Sequence, residues 1–315
     1  MDALDLLARQ LCPSDASPRA RQLATEETER AARLGVRIIS RAEPGYPMAL
    51  RSLFDPPLAL YVQGPLEAVL ALPAAAVVGS RDATPRGCSL AFALARDLAR
   101  SGVLVVSGLA RGIDAAAHEG ALAGGGPTLA VQGRGLDAVY PAENTPLAKR
   151  LLERGGVLVS EHAIGVGPKP FHFPRRNRIL AGFARAVVVV EAALKSGALV
   201  TARLALDAGR DVLAVPGHPF DPRARGTNAL IRDGAGLVRD AQDVLDALGL
   251  IASAQPAPAT IDDAVLQAVP SGQAVSIEEL AETSGVPTPG LLARLSELEL
   301  RGRITRLPGP LFVRA

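Results

Sequence analysis

Residues 74–108 read AAAVVGSRDATPRGCSLAFALARDLARSGVLVVSG. Two short apolar runs, at 74–80 and 102–108, enclose a stretch with helical patterning from Cys88 to Ser101. An apolar run of four or five residues bounded by Gly and Ser is too short for a helix, and it predicts a strand buried on both faces. The unit therefore reads as strand, crossover helix, parallel strand. The same texture continues in PTLAVQG (127–133), GVLVS (156–160), RAVVVVEA (185–192) and DVLAVPG (211–217), with a further helix over Ile113–Ala123. Repeated βαβ units of this kind predict an α/β domain with a doubly wound, mostly parallel sheet. In such a sheet ligands bind outside the carboxyl ends of the strands, near the switch in strand order.

Outward from this core, GVRIISRAEPGYPMALRSLFDPPLALYVQG has short apolar runs broken by Pro44-Gly45-Tyr46-Pro47 and Asp55-Pro56-Pro57. These turns predict that residues 41–73 form an extended lead-in to a domain spanning 41–250. Residues 1–40 hold one helical stretch, Pro18 to Leu34, with no readable packing partner. Downstream, SAQPAPAT (253–260) has linker composition, which sets a linker at 251–260 and a separate module at 261–315. In that module Asp262–Val269 and Ser276–Thr283 read as helices, the second opened by a capping box between Ser276 and Glu279. Thr288-Pro289 opens a third helix, and two strands, 303–307 and 311–314, flank Pro308-Gly309-Pro310. Three helices and a hairpin predict a small winged helix. Its third helix offsets Arg294 and Arg301 with Glu297 and Glu299. A neutral, Leu-rich helix suits a protein contact or an auxiliary role better than base reading in the major groove.

The net charge is only +2, yet Lys169 to Val190 carries five basic residues and no acidic one. Local charge of one sign suits a polyanion. Phe171 and Phe173 bracket His172 just ahead of Arg175, Arg176 and Arg178, in a chain with only seven Phe, three Tyr and no Trp. Rings beside cations are the two ingredients of sequence-tolerant single-strand binding. Two cysteines are too few for a disulfide framework, no apolar run reaches membrane-spanning length, and the N-terminus lacks a secretory pattern. A cytoplasmic location is expected.

Other motifs lie at strand ends. Gly79-Ser80-Arg81 offers close backbone approach, a hydroxyl with exposed amides, and a guanidinium fork, or else an ordinary turn with a solvated Arg. Arg111-Gly112 precedes a helix start that could face an anion, while Asp114 and His118 on that helix read as a structural pair. Gly133-Arg134-Gly135-Leu136-Asp137-Ala138 matches a dinucleotide fingerprint but runs into Val139-Tyr140-Pro141 instead of a helix, so it fails in context. The P-loop pattern is absent, the four histidines form no metal pair, and no cofactor or metal is expected. Glu161 and Glu191 could serve as acid and base, which would make the protein a Rossmann-like nucleotide N-glycosidase or phosphoribohydrolase. Their simpler reading is to orient arginines of the basic cluster.

Taken in order, GSR (79–81), SGLARGIDAAAH (107–118), Tyr140-Pro141 with Asn144, SE (160–161), FPRRNRILAG (173–182), VVEAALKSGALVTA (189–202), GRDVLAVPG (209–217) and GTNALIRDGA (226–235) resemble the DNA-processing protein DprA (Smf) family. The resemblance implies an extended Rossmann-like domain that binds single-stranded DNA without nucleotide hydrolysis. It also implies a homodimer that protects incoming strands in natural transformation, loads the RecA recombinase, and displaces or bypasses single-strand-binding protein. Carried over by position, the DNA contacts are Gly79, Ser80 and Arg81, with Arg111 and Gly112, and Phe173, Arg175, Arg176, Asn177 and Arg178. Lys169, Lys195 and Ser196 join them in the same pocket. The chain departs from the family in having His162-Ala163 where Pro usually follows SE, and in having only about 40 residues ahead of the matching region.

Overall fold

The computed structural model describes residues 2–13, 17–250, 264–270, 274–300, 302–307, 309 and 311–314. The expected linker, 251–260, lies outside the described residues. The chain divides into two compact units, residues 1–252 and 253–315.

The larger unit begins with α1 (Ala3–Leu11), opened by a capping box between Asp2 and Asp5, and α2 (Pro18–Arg33), with Pro at its first position. There follow β1 (Arg37–Ser40), the short α3 (Met48–Arg51), β2 (Ala59–Gln63) and the short α4 (Leu66–Val69). Every one of the six apolar runs forms a strand. These are β3 (Ala74–Val78), β4 (Leu104–Ser107), β5 (Thr128–Gln132), β6 (Val157–Ser160), β7 (Ala186–Val189) and β8 (Asp211–Ala214), interleaved with α5 (Pro85–Arg100), α6 (Ile113–Ala123), α7 (Thr145–Glu153), α8 (His172–Phe183) and α9 (Gly197–Asp207). The unit closes with α10 (Arg225–Arg232), β9 (Gly236–Leu237) and α11 (Ala241–Ala247).

The sheet has nine strands in the order β1-β2-β6-β5-β4-β3-β7-β8-β9. From β6 to β9 all neighbours are parallel, while β2 joins β6, and β1 joins β2, antiparallel. After β3 the chain winds one way through β4, β5 and β6, then returns to place β7 on the other side of β3. The switch point is thus between β3 and β7.

Period-two alternation explains why both faces are covered. Ala75, Val77, Val105 and Val188 face one core with Leu94 and Leu98 of α5, Ile113 and Ala117 of α6, and Val244 of α11. Ala76, Val78, Val106, Val187 and Val189 face the other with Ile179, Leu180 and Phe183 of α8 and Ala202 of α9. Burying one such Val, Leu or Phe contributes roughly 1.5–3 kcal/mol.

The lead-in is more structured than its prolines suggest. Its two turns are loops lying between β1 and β2, which pair with each other and extend the main sheet, and the buried Tyr46 hydroxyl donates to Pro57 O at 2.8 Å to tie one turn to the other. The first 40 residues are not a separate segment. Leu7, Ala20, Ala24 and Ala31 pack with Tyr61, Leu151 and Leu158, and Glu27 Oε1 accepts from Ile164 N at 2.7 Å. Small alanines spaced along α2 let it lie flat on that end of the sheet.

In the smaller unit, α12 (Ala264–Ala268), β10 (Val275–Ser276), α13 (Ile277–Ser284), α14 (Thr288–Leu300), β11 (Ile304–Leu307) and β12 (Leu311–Arg314) form three helices and a three-stranded sheet of order β10-β12-β11. The capping box between Ser276 and Glu279 is present. Leu291, Leu295 and Leu298 of α14 are buried with Val265, Leu280 and Phe312, so this Leu-rich stripe makes the core of the module. Among the described residues, no helix is long and apolar enough to cross a membrane.

Candidate nucleic-acid interface

At the switch point the loops after β3 and β7 meet the N-terminal halves of α8 and α9 around an open cleft of about 770 Å³. Two glycines let the turn after β3 pack closely. A Cβ on Gly79 would stand 2.6 Å from Ile113 Cγ1, and one on Gly112, which has φ +69°, would stand 2.4 Å from Ser80 O. Ser80 N donates to Glu191 O at 2.8 Å, and Ile113 N donates to Ser80 O at 3.2 Å. The Gly79-Ser80-Arg81 turn is therefore fastened on both sides, with the Ser80 hydroxyl accepting from Asp82 N at 3.1 Å. Its exposed Arg81 guanidinium lies 5.0 Å from the centre of the Phe173 ring. Among the described residues Arg81 has no carboxylate partner, and neither do the exposed Lys169 and Lys195 on the cleft walls.

The basic stretch is helical, and this divides its residues. Phe173, Arg176, Asn177 and Leu180 follow i, i+3, i+4, i+7 spacing and line the cleft. Arg175 and Arg178 lie on another face and do not. Arg178 is buried, with both terminal nitrogens on the two oxygens of Glu161 at 2.9 and 2.7 Å and Nε donating to Asp55 O at 2.8 Å. It is thus a structural cation rather than an open phosphate fork. Arg175 is exposed and approaches Asp55 and Glu161 only to 3.8 Å.

Arg176 is 3% exposed. Its Nη1 donates to Val131 O, its buried Nε has no hydrogen-bond partner, and a Cβ on Gly108 would stand 2.4 Å from Nη1. Burial lowers its pKa to about 10, against the pull of Asp114 and with a smaller push from Arg81. It stays charged at neutral pH, a positive centre set in the cleft wall that feels Asp114 but, among the described residues, makes no salt bridge to it. Such a group favours an anion in front of it.

Asp114 accepts from Gly108 N at 3.1 Å and Ala110 N at 3.4 Å, and burial raises its pKa against the opposing effect of Arg176. His118 pairs with the Thr128 hydroxyl at 2.8 Å. Both are structural, as expected, but with separate partners instead of each other.

Arg111 and Gly112 sit one loop away. Arg111 lines a smaller recess of about 360 Å³ that shares Arg81, Phe173 and Arg176 with the cleft, and its exposed guanidinium makes two hydrogen bonds to Glu143, at 2.5 and 2.8 Å. An exposed pair of this kind is worth at most about 1 kcal/mol and exchanges readily. Ser196 caps α9, its hydroxyl accepting from Ala198 N at 3.3 Å. Tyr140 is a further member of the site, beyond the residues expected from the sequence. Its ring is 5.3 Å from that of Phe173 and lines both the cleft and the recess, and the signal was its rarity as one of three tyrosines.

Of the two glutamates, Glu161 holds an arginine, as expected. Glu191 does not. It accepts from Thr84 N at 2.9 Å and from the Thr84 hydroxyl at the start of α5, where a carboxylate complements the helix dipole. Neither lines the cleft. Among the described residues no cluster of His, Cys, Asp and Glu could hold a metal ion.

The fold and cleft define a Rossmann-like α/β protein with a switch-point cleft lined by cations and aromatic rings. The family described as DNA recombination-mediator protein A matches residues 37–249, and the DprA winged helix domain matches 251–310. The chain belongs to the DNA recombination-mediator protein A (DprA, or Smf) family. Protein Smf of Escherichia coli (strain K12) is 41% identical over 276 residues, covering 84% of this chain and 74% of that protein. The DNA processing protein DprA of Streptococcus pneumoniae is 44% identical over 203 residues, covering 64% and 70%. The X-ray structure of the S. pneumoniae DprA superposes with a TM-score of 0.64 at 37% identity, covering 76% of this chain and 86% of that one. DNA processing protein A of Helicobacter pylori, whose structure gave insight into its single-stranded DNA binding mode, superposes with a TM-score of 0.61 at 30% identity, covering 68% and 95%.

Proposed function

We propose that this protein binds single-stranded DNA in the switch-point cleft without reading its sequence. The observation that carries this is Arg81 seated over Phe173, an unpaired cation on a ring at the mouth of a cleft that also holds Lys169, Lys195 and buried Arg176. Phosphates would meet Arg81, the lysines, Asn177 and the amides at the start of α9, while bases stack on Phe173 and Tyr140. Arg175 adds charge from the rim. A hydrolytic role through Glu161 or Glu191 is disfavoured by their engagement with Arg178 and Thr84.

The family resemblance supports the wider role. The protein protects incoming strands and, as a homodimer, loads RecA on single strands covered by single-strand-binding protein, during natural transformation and homologous recombination. The deciding experiment is fluorescence anisotropy with labelled oligo-dT and an equal-length duplex across a salt series. Steeply salt-dependent binding that favours the single strand is expected, and no binding at low salt overturns the reading. RecA ATPase on strands pre-coated with single-strand-binding protein, with and without this protein, tests the mediator role.

A further inference from the structure

The two phenylalanines that bracket His172 part company in the fold. Phe173 enters the cleft, whereas Phe171 stays outside it and is 63% exposed. It is not a loose side chain. Its ring meets that of buried His172 edge-on at 4.6 Å, and His172 stacks in turn on His162 at 4.0 Å. An exposed aromatic ring held on a rigid support is a stacking platform without an occupant.

Its surroundings indicate what occupies it. Lys169 Nζ lies 5.8 Å from the Phe171 ring centre, and Lys169 also lines the cleft, so the platform is continuous with the cleft. Arg175, one turn along α8 from Phe171, projects an exposed guanidinium, because the Glu161 carboxylate below it is already occupied by Arg178. The loop carrying Asp55 is fastened to this side of α8 by the Arg178 bond to Asp55 O. Its preceding residue, Phe54, is wholly exposed. Asp55 offsets part of the charge, at 3.8 Å from Arg175 and 3.4 Å from Arg178.

We propose that Phe171, flanked by Lys169 and Arg175 and followed by Phe54, forms a second single-stranded nucleic-acid surface that takes the strand as it leaves the cleft around the start of α8. Exposed rings beside exposed cations are the two ingredients of single-strand binding. A lipid surface would need a broader apolar face, and a duplex offers no free base to stack.

This inference rests on the cleft being the primary DNA site, and the experiment separates the two. Affinity is measured over a length series of oligo-dT for the full-length protein and for Phe171→Ala, Phe171→Trp, Phe54→Ala and Arg81→Ala. Phe171→Ala should leave the shortest oligonucleotides unaffected and weaken longer ones by about fivefold to tenfold, the lower end of one base–aromatic stack. Phe54→Ala should act in the same direction, and Phe171→Trp should restore the gain with length. Photocrosslinking with 5-iododeoxyuridine placed along a long oligonucleotide should label Phe171 only from positions beyond those the shortest binding length covers. Equal affinity of wild type and Phe171→Ala at every length, or an equal loss at every length, overturns the second surface. If Arg81→Ala leaves the shortest oligonucleotides tightly bound, the cleft reading itself fails.

Discussion

The two terminal nitrogens of Arg178 stand 2.9 and 2.7 Å from the two carboxylate oxygens of Glu161, and both side chains are buried. Removing one partner of a buried pair strands the other charge, at about 3–5 kcal/mol. Arg178→Ala and Glu161→Gln should therefore lower the urea midpoint substantially. In whatever fraction remains folded, the salt slope of DNA binding should match wild type. A lower slope for Arg178→Ala at unchanged stability would make it a phosphate contact after all.

Arg81 has the opposite profile. It is exposed and fastened by no carboxylate, so Arg81→Ala should leave the unfolding midpoint unchanged and weaken binding to unrelated single-stranded sequences alike. Losing one phosphate contact should reduce the slope of log K against log salt by about 0.7. Sequence-selective loss, read by anisotropy with oligo-dT and mixed-sequence oligonucleotides, would count against the assignment.

Phe173 should contribute through its ring face. Phe173→Ala should weaken single-strand binding by about 1–3 kcal/mol with little change in salt slope, because stacking displaces no counterion. The neighbouring glycine offers an independent check. A Cβ on Gly133 would stand 3.0 Å from Phe173 Cδ1, so Gly133→Val should displace the ring and lower affinity with Phe173 still in place.

Much of this fold was legible in the chain because buried parallel strands write themselves as short uninterrupted apolar runs, and all six runs became strands. β1, β2 and the packing of α2 were not, since antiparallel edge pairing and alanine-mediated contact depend on partners distant in sequence. The cleft residues were found as a set, but read as one cluster. Only the helical spacing of α8 sends Phe173 and Arg176 inward to the cleft and turns Arg178 to Glu161. Glu191 misled for a related reason, because its partner, Thr84, lies 107 residues away.

One buried histidine, His118, and one half-buried histidine, His162, should make the fold acid-sensitive. The Thr128 hydroxyl donates to Val105 O at 2.6 Å, so His118 Nδ1 must carry the proton of their 2.8 Å contact, and Nε2 is left buried without a partner. A second proton there has no acceptor. Burial, assisted by Arg176, lowers the His118 pKa to about 3. Burial likewise lowers that of His162 to about 4, with Glu161 opposing and His172, Arg175 and Arg178 assisting. Both values fall below the ordinary 6.5, so between pH 6.5 and about 4 the unfolded chain binds more protons than the folded one, and stability rises with pH across that window. The urea midpoint should hold above pH 7 and drop steadily as pH falls from 6.5 towards 4. His162→Phe keeps a ring for His172 to stack on and cannot be charged, and His118→Asn keeps a donor for Thr128. Each should flatten the acid limb of the curve even where it lowers stability at pH 7. A double variant with the wild-type slope between pH 6.5 and 4 would assign the acid sensitivity to the carboxylates instead.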